Sequence, residues 1–124
     1  PSENDIINAS ADYLLLAQVG RMSVHFEWDR RKAAINLRKH RVSFDEASTI
    51  FDDPAAFIFD DEDHSADEPR EIIIGHSINN RLLLVCFTER TQDLVRIFSA
   101  RLATKKERKD YEENRNRRVS LNDG

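Results

Sequence analysis

The sequence predicts an α+β domain: a mostly antiparallel sheet of four to five strands with helices packed on it, in the order β-α-α-β-β-β-β-α. Three observations predict it. Residues 70–100 hold three apolar runs, "REIIIGHSI", "RLLLVCFTE" and "LVRIFSA", separated only by short polar turn signals. An alternating run, "SVHFEW", stands far upstream and leads directly into a helical pattern. Two S/T-x-x-E capping boxes, Ser43 with Glu46 and Thr104 with Glu107, mark helix starts on either side of the strand-rich region.

The chain has 124 residues, enough for one domain with a single modest core. Residues 1–21 stand apart as an extension or tag-like leader, with Met22 a candidate start. The domain is expected over 22–118 and a short tail over 119–124. "SVHFEW", residues 23–28, is the first strand. Asp29 caps the helix "RRKAAINLRKH", where Ala33, Ala34, Ile35 and Leu37 form a loosely apolar side. His40 and Arg41 put positive charge at its C-terminal end, which suits the helix dipole. Ser43 starts a second helix expected over Phe44 to Phe51, and Pro54 ends it. "AAFIFDD" reads as the next strand. "DDEDHSADEP" carries too many like charges to pack and reads as an exposed loop. Asn79 and Asn80 tolerate the positive φ of a tight hairpin turn, and "TQD" makes a second turn. Thr104 opens a last helix expected to reach about Arg117.

Charge is unevenly placed. The formal net charge is -4, which does not suggest a nucleic-acid binder. Yet Asp29 to Arg41 holds six Lys/Arg and one acid, and Val95 to Arg118 holds nine against four. Between them, Val42 to Pro69 holds ten acids and no Lys or Arg. Cys86 is the only cysteine, so no internal disulfide forms, and "LLLVCFT" makes it a small buried hydrophobe. No apolar run approaches the roughly 20 residues that span a bilayer, and the expected setting is soluble and cytoplasmic. The acidic loop fails the calcium-loop pattern, having no glycine at its sixth position and Ile72 where a bidentate Glu belongs. No Cys/His spacing suits zinc, and neither a Gly-rich phosphate loop nor a G-x-S-x-G turn is present; no cofactor is expected.

The stretch "RIFSARLATKKERKDYEE" carries the most chemistry. Strict alternation puts Val95, Ile97 and Ser99 on one face, and Leu94, Arg96, Phe98 and Ala100 on the other. Arg96 then sits among apolar neighbours and needs an anion. That anion is either Glu71 or Glu89 on a neighbouring strand, or a ligand phosphate gripped by the guanidinium fork. Arg101 ends the strand just before a helix N-terminus, where anions are favoured. Lys105, Lys106, Arg108 and Lys109 oppose the dipole there, at about 0.3–1 kcal/mol each. Either they belong to a solvated helix partly balanced by Asp110, Glu112 and Glu113, or they meet a phosphate backbone. Arg30, Arg31, Lys32, Arg38 and Lys39 repeat the theme on the first helix. Trp28 either packs at the strand-to-helix joint, the commoner use, or stacks on a base.

The sequence resembles the BrnT family of toxins from bacterial type II toxin–antitoxin pairs. "FEWDRRKAAINLRKHRVSFDEASTIFDDP", "DHSADEPREIIIGHS", "RLLLVCFTER" and "VRIFSARLATKKERKDYEE" carry the resemblance, over about residues 24 to 113. It implies a RelE-like ribonuclease fold and RNA cleavage that arrests translation. It also implies a BrnA-like antitoxin with a ribbon-helix-helix part, a hetero-oligomer in which operator DNA is bound only through the antitoxin. In a metal-free cleavage the ribose 2′-OH attacks phosphorus while cations stabilise the phosphorane oxygens. Arg70, Arg96 and Arg101 are the candidates for that stabilisation. Lys39, His40 and Glu107 are candidates for proton transfer. Trp28, Lys32, Lys39, Lys105, Lys106 and Arg108 are candidates for holding RNA. The same basic face would also suit a non-catalytic module that binds an acidic protein or a nucleic acid.

Overall fold

The computed structural model describes residues 24–64 and 68–123, so the expected leader lies outside the described residues. Strand β1 is His25–Glu27, followed by helices α1, Arg30–His40, and α2, Phe44–Ser48. Strands β2, Phe57–Asp60, β3, Glu71–His76, β4, Leu82–Thr91, and β5, Leu94–Leu102, lead to helix α3, Lys105–Asp123. Two 3₁₀ turns, Thr49–Asp52 and Glu62–His64, lie between α2 and β3. The five strands form one sheet in the order β1-β5-β4-β3-β2, with β1 parallel to β5 and the other neighbours antiparallel. The expected element order is the one found.

Local chemistry explains the boundaries. The Asp29 carboxylate accepts from the Lys32 N–H at 3.0 Å, and Arg41 closes α1 in the left-handed region at φ 59°. Ser43 accepts from the Glu46 N–H at 3.0 Å. The second helix is shorter than expected, because its last turn tightens into the 3₁₀ turn Thr49–Asp52 before Pro54. Asn80 takes φ 59° in the β3–β4 turn. Thr104 and Glu107 complete a reciprocal capping box, and α3 runs past Arg117 to Asp123.

The sheet has two unequal faces. One packs Ile73, Leu83, Val85, Phe87, Val95, Ile97 and Ala100 against Val42, Phe44, Ala47, Ile50 and Phe51 from α2 and its flanks. The other carries Ile74, Leu82 and Leu84, covered by Tyr111 of α3. Tyr111 donates to Asp53 Oδ2 at 2.8 Å, and the His76 N–H donates to the same oxygen at 2.8 Å. Gly75 is required beside this junction. A Cβ there would lie 2.9 Å from the Ala56 Cβ and 3.2 Å from Asp53 Oδ2. Glu46 is buried, bonded to Ser77 and to the guanidinium of Arg81, and Arg81 also donates to the Arg41 carbonyl. This network ties α1, α2 and the β3–β4 hairpin into one body.

One irregularity decides where the site lies. Cys86 pairs with Ser99, but Phe87 pairs with Ile97, so Phe98 is an extra residue in β5. Strict alternation fails at that point. Val95, Ile97 and Ala100 face the larger core, while Arg96, Phe98, Ser99 and Arg101 do not. The bulge therefore places Ser99 on the outer face and Ala100 in the core, reversing the expectation for both.

Candidate active site

The second face of the sheet is open beyond Tyr111 and holds a cavity of about 480 Å³. Ile72, Cys86 and Ser99 form one cross-strand row of its floor, and Leu84 with Arg101 forms the next. Lys32 of α1, Arg70, Asp61, Asp63 and Phe98 complete the wall. Two arginines and one lysine thus converge on one concave surface. They come from residues 32, 70 and 101, far apart in the chain.

Each cation is held. The Arg70 guanidinium lies 3.8 Å from the centre of the Phe98 ring, and the Lys32 ammonium lies 5.9 Å from it. Thr88 donates to the Pro69 carbonyl and fixes the segment that carries Arg70. Arg101 makes a bidentate pair with Glu107, at 2.8 and 2.9 Å, and also donates to the Leu102 carbonyl at 3.2 Å. Those bonds engage three of the five guanidinium N–H groups, and two remain for a further acceptor.

Glu107 is therefore an anchor. The Arg101 fork beside it, and then the Thr104 N–H, acting against burial, leave its carboxyl well below the usual range, at about 2. A carboxylate held so firmly in its charged form is a poor proton carrier near neutral pH, which removes Glu107 from the proton-transfer candidates. Its negative charge in the first turn also offsets the dipole cost of Lys105 and Lys106. Those two lysines and Arg108 are exposed and do not line the cavity.

Arg96 does not line the cavity either. Its guanidinium lies 3.5 Å from Glu27, which also pairs with Arg90 at 3.2 Å. The internal partner is thus neither Glu71 nor Glu89 but a residue of the parallel neighbour β1. Lys39 and His40, at the far end of α1 from Lys32, are likewise absent from the cavity lining. Trp28 packs edge-on against Phe44, with ring centres 5.9 Å apart, and joins the larger core.

Sequence reading missed Asp61 and Phe98 as members of the site. Asp61 is buried, and its Oδ2 accepts from the Cys86 thiol at 3.3 Å. Burial and that hydrogen bond push the thiol up to about 12, so it is neutral near pH 7 and no nucleophile. Among the described residues, no cluster of three or more His, Cys, Asp or Glu is placed to hold a metal ion.

The fold and the pocket define a small α+β protein with a charged cleft on the second face of its sheet, where Lys32, Arg70 and Arg101 stand beside Asp61 and Asp63. The sequence model of the family described as "Ribonuclease toxin, BrnT, of type II toxin-antitoxin system" matches residues 28–107. The chain belongs to this family of ribonuclease toxins. Among solved structures it is similar to the ribonuclease toxin BrnT of Brucella abortus, with 23% sequence identity and a TM-score of 0.52. That match covers 66% of this chain and 99% of the Brucella chain, and supports the fold assignment. A comparison with curated proteins finds no match. No helix among the described residues is long and apolar enough to cross a membrane.

Proposed function

We propose that the protein is the toxin of a type II toxin–antitoxin pair, a metal-independent endoribonuclease that cleaves RNA and so arrests translation in the cytoplasm. One observation carries the reading: Arg70, Arg101 and Lys32 line a single cavity of a size that suits a nucleotide. Arg101 and Arg70 face the phosphate and stabilise the charge that grows on its oxygens as the 2′-oxygen attacks. Lys32 holds the RNA backbone at the cavity wall. Glu107 and Phe98 are positioning residues that fix these cations before substrate arrives. The positive charge needed by the transition state is supplied by side chains, so the chemistry requires no cofactor.

A BrnA-like antitoxin with a ribbon-helix-helix part is the proposed partner. In the resulting hetero-oligomer the antitoxin covers the cationic cleft and blocks RNA directly, and the complex represses its own promoter through the antitoxin. Incubating the purified chain with RNA in a chelator tests the catalytic reading. Cleavage is expected, falling about 10²–10³-fold in Arg70→Ala and Arg101→Ala. RNA that stays whole would favour a basic binding module.

A further inference from the structure

Two carboxylates line the pocket, Asp61 and Asp63. Asp63 is exposed on the 3₁₀ turn, whereas Asp61 is only 7% exposed and is carried by the sheet. The Asp61 N–H donates to the Arg70 carbonyl at 2.9 Å, which extends the β2–β3 ladder by one pair beyond Asp60 and Glu71. The pleat then puts the side chains of Asp61 and Arg70 on the face of Ile72 and Cys86, the face of the pocket. Cys86 holds Asp61 Oδ2 from the floor. A thiol is a weak donor, and this bond helps to orient the carboxylate.

A buried carboxylate is a costly wall residue compared with a neutral one of the same shape. Its backbone is tied to Arg70, and it lines the same cavity as Lys32, Arg70 and Arg101, the cavity that RNA would enter. The other titratable groups that line the cavity are Arg70 from the segment before β3, Cys86 from β4, Arg101 from β5, Lys32 from α1 and Asp63 from the turn. Lys39 and His40, which the sequence offered for proton transfer, lie outside this cavity.

We propose that Asp61 is the general base of RNA cleavage and Cys86 its positioning residue, an inference that rests on the ribonuclease reading above. The ribose 2′-OH gives its proton to the Asp61 carboxylate as the 2′-oxygen bonds to phosphorus. The bond from phosphorus to the 5′-oxygen breaks, and that oxygen takes a proton from water in the open cleft. The hydroxide so formed collects the proton from Asp61. The products are a 2′,3′-cyclic phosphate and a 5′-hydroxyl, with no other reactant consumed.

The test is the rate of cleavage of a labelled single-stranded RNA of mixed sequence by the full chain. It is followed in chelator from about pH 5 to about pH 9, with and without ribosomes. Asp61→Asn is expected to lower the rate about 10²–10⁴-fold while RNA binding and melting temperature hold. Cys86→Ala is expected to shift the midpoint of the low-pH limb while activity persists. An Asp61→Asn chain with the wild-type rate and profile, beside a silent Arg70→Ala chain, overturns this inference and leaves the ribonuclease reading standing. A wild-type chain that leaves RNA whole under both conditions overturns both. Should Asp61→Asn fail to fold, Cys86→Ala decides: an unmoved profile overturns the proposal, and a shifted one supports it.

Discussion

The side-chain amide of Asn36 pairs with both backbone groups of Ala100, accepting from its N–H at 3.1 Å and donating to its carbonyl at 2.8 Å. The pairing stands in for a strand. β1 leaves β5 after Glu27 meets Arg96, and Ala100 lies beyond that point on the same edge. Asn36 also donates to the Val42 carbonyl at 3.0 Å. One buried amide thus joins α1, the α1–α2 link and the strand that carries Arg101.

Replacing Asn36 with Ala leaves three buried backbone groups without that partner, and each unsatisfied group costs about 1–3 kcal/mol before relaxation and water entry. The expected net loss is about 2–3 kcal/mol in urea unfolding. Asn36→Asp fares no better, since an ionised carboxylate accepts only and would face two carbonyls. A loss under about 0.5 kcal/mol in both variants would contradict the role assigned to the amide.

Phe98 holds two cations through its ring, each contact being worth about 0.5–1 kcal/mol at a partly exposed site. Phe98→Leu keeps the bulk of the side chain but not the ring. RNA cleavage is expected to fall about tenfold, equivalent to about 1.4 kcal/mol, with melting temperature little changed. Phe98→Tyr keeps the ring and is expected to restore most of the rate. Equal rates in the Leu and Tyr variants would separate the ring from the site.

Acid unfolding reports on Glu46. The Arg81 hydrogen bonds, and then Ser77 acting against burial, bring its carboxyl down from 4.5 to about 2 in the folded chain. Its contribution is therefore complete above about pH 4.5 and disappears as pH falls toward about 2. Glu46→Gln is expected to lose about 1.5–3 kcal/mol at pH 7. Its stability should then fall less steeply than wild type in that acid window, as measured by urea titrations at several pH values. Parallel curves would refute the assignment.

Glu71 behaves in the opposite sense. Burial, with Asp60 and Glu89 nearby, raises its carboxyl above the ordinary 4.5. The folded state therefore disfavours the ionised form, and stability is lost as pH rises from 4.5 through the raised value. Glu71→Gln is expected to melt higher than wild type at pH 7, with the gain fading below about pH 4.5. A variant that melts lower at pH 7 would show that the carboxylate makes a net favourable contact.

Much of the scaffold was legible because it is written in local signals. Asp29, Ser43 and Thr104 cap helices within three residues of themselves, and Asn80 announces its own turn. The site was less legible because it depends on partners far away in sequence. Arg101 was readable as a cation before a helix, and Arg70 as one at a strand start. Glu27 as the partner of Arg96 was not, since β1 and β5 meet in parallel across most of the chain. Asp61 was hidden inside a run of acids whose composition reads as solvent-facing, while one more ladder pair buries it. The bulge left no mark in the pattern: Phe, Ser and Ala each sit acceptably on either face, so alternation ran on where the strand does not.

The extra residue in β5 has an evolutionary corollary. Losing the codon for Phe98 would give an unbroken strand in which Ile97, Ser99, Ala100 and Arg101 each keep the side of the sheet they now occupy. The ring that steadies Arg70 and Lys32 would vanish while the hydrophobic interior stayed whole. Under the proposed ribonuclease reading, one in-frame deletion would weaken cleavage and still leave a folded protein.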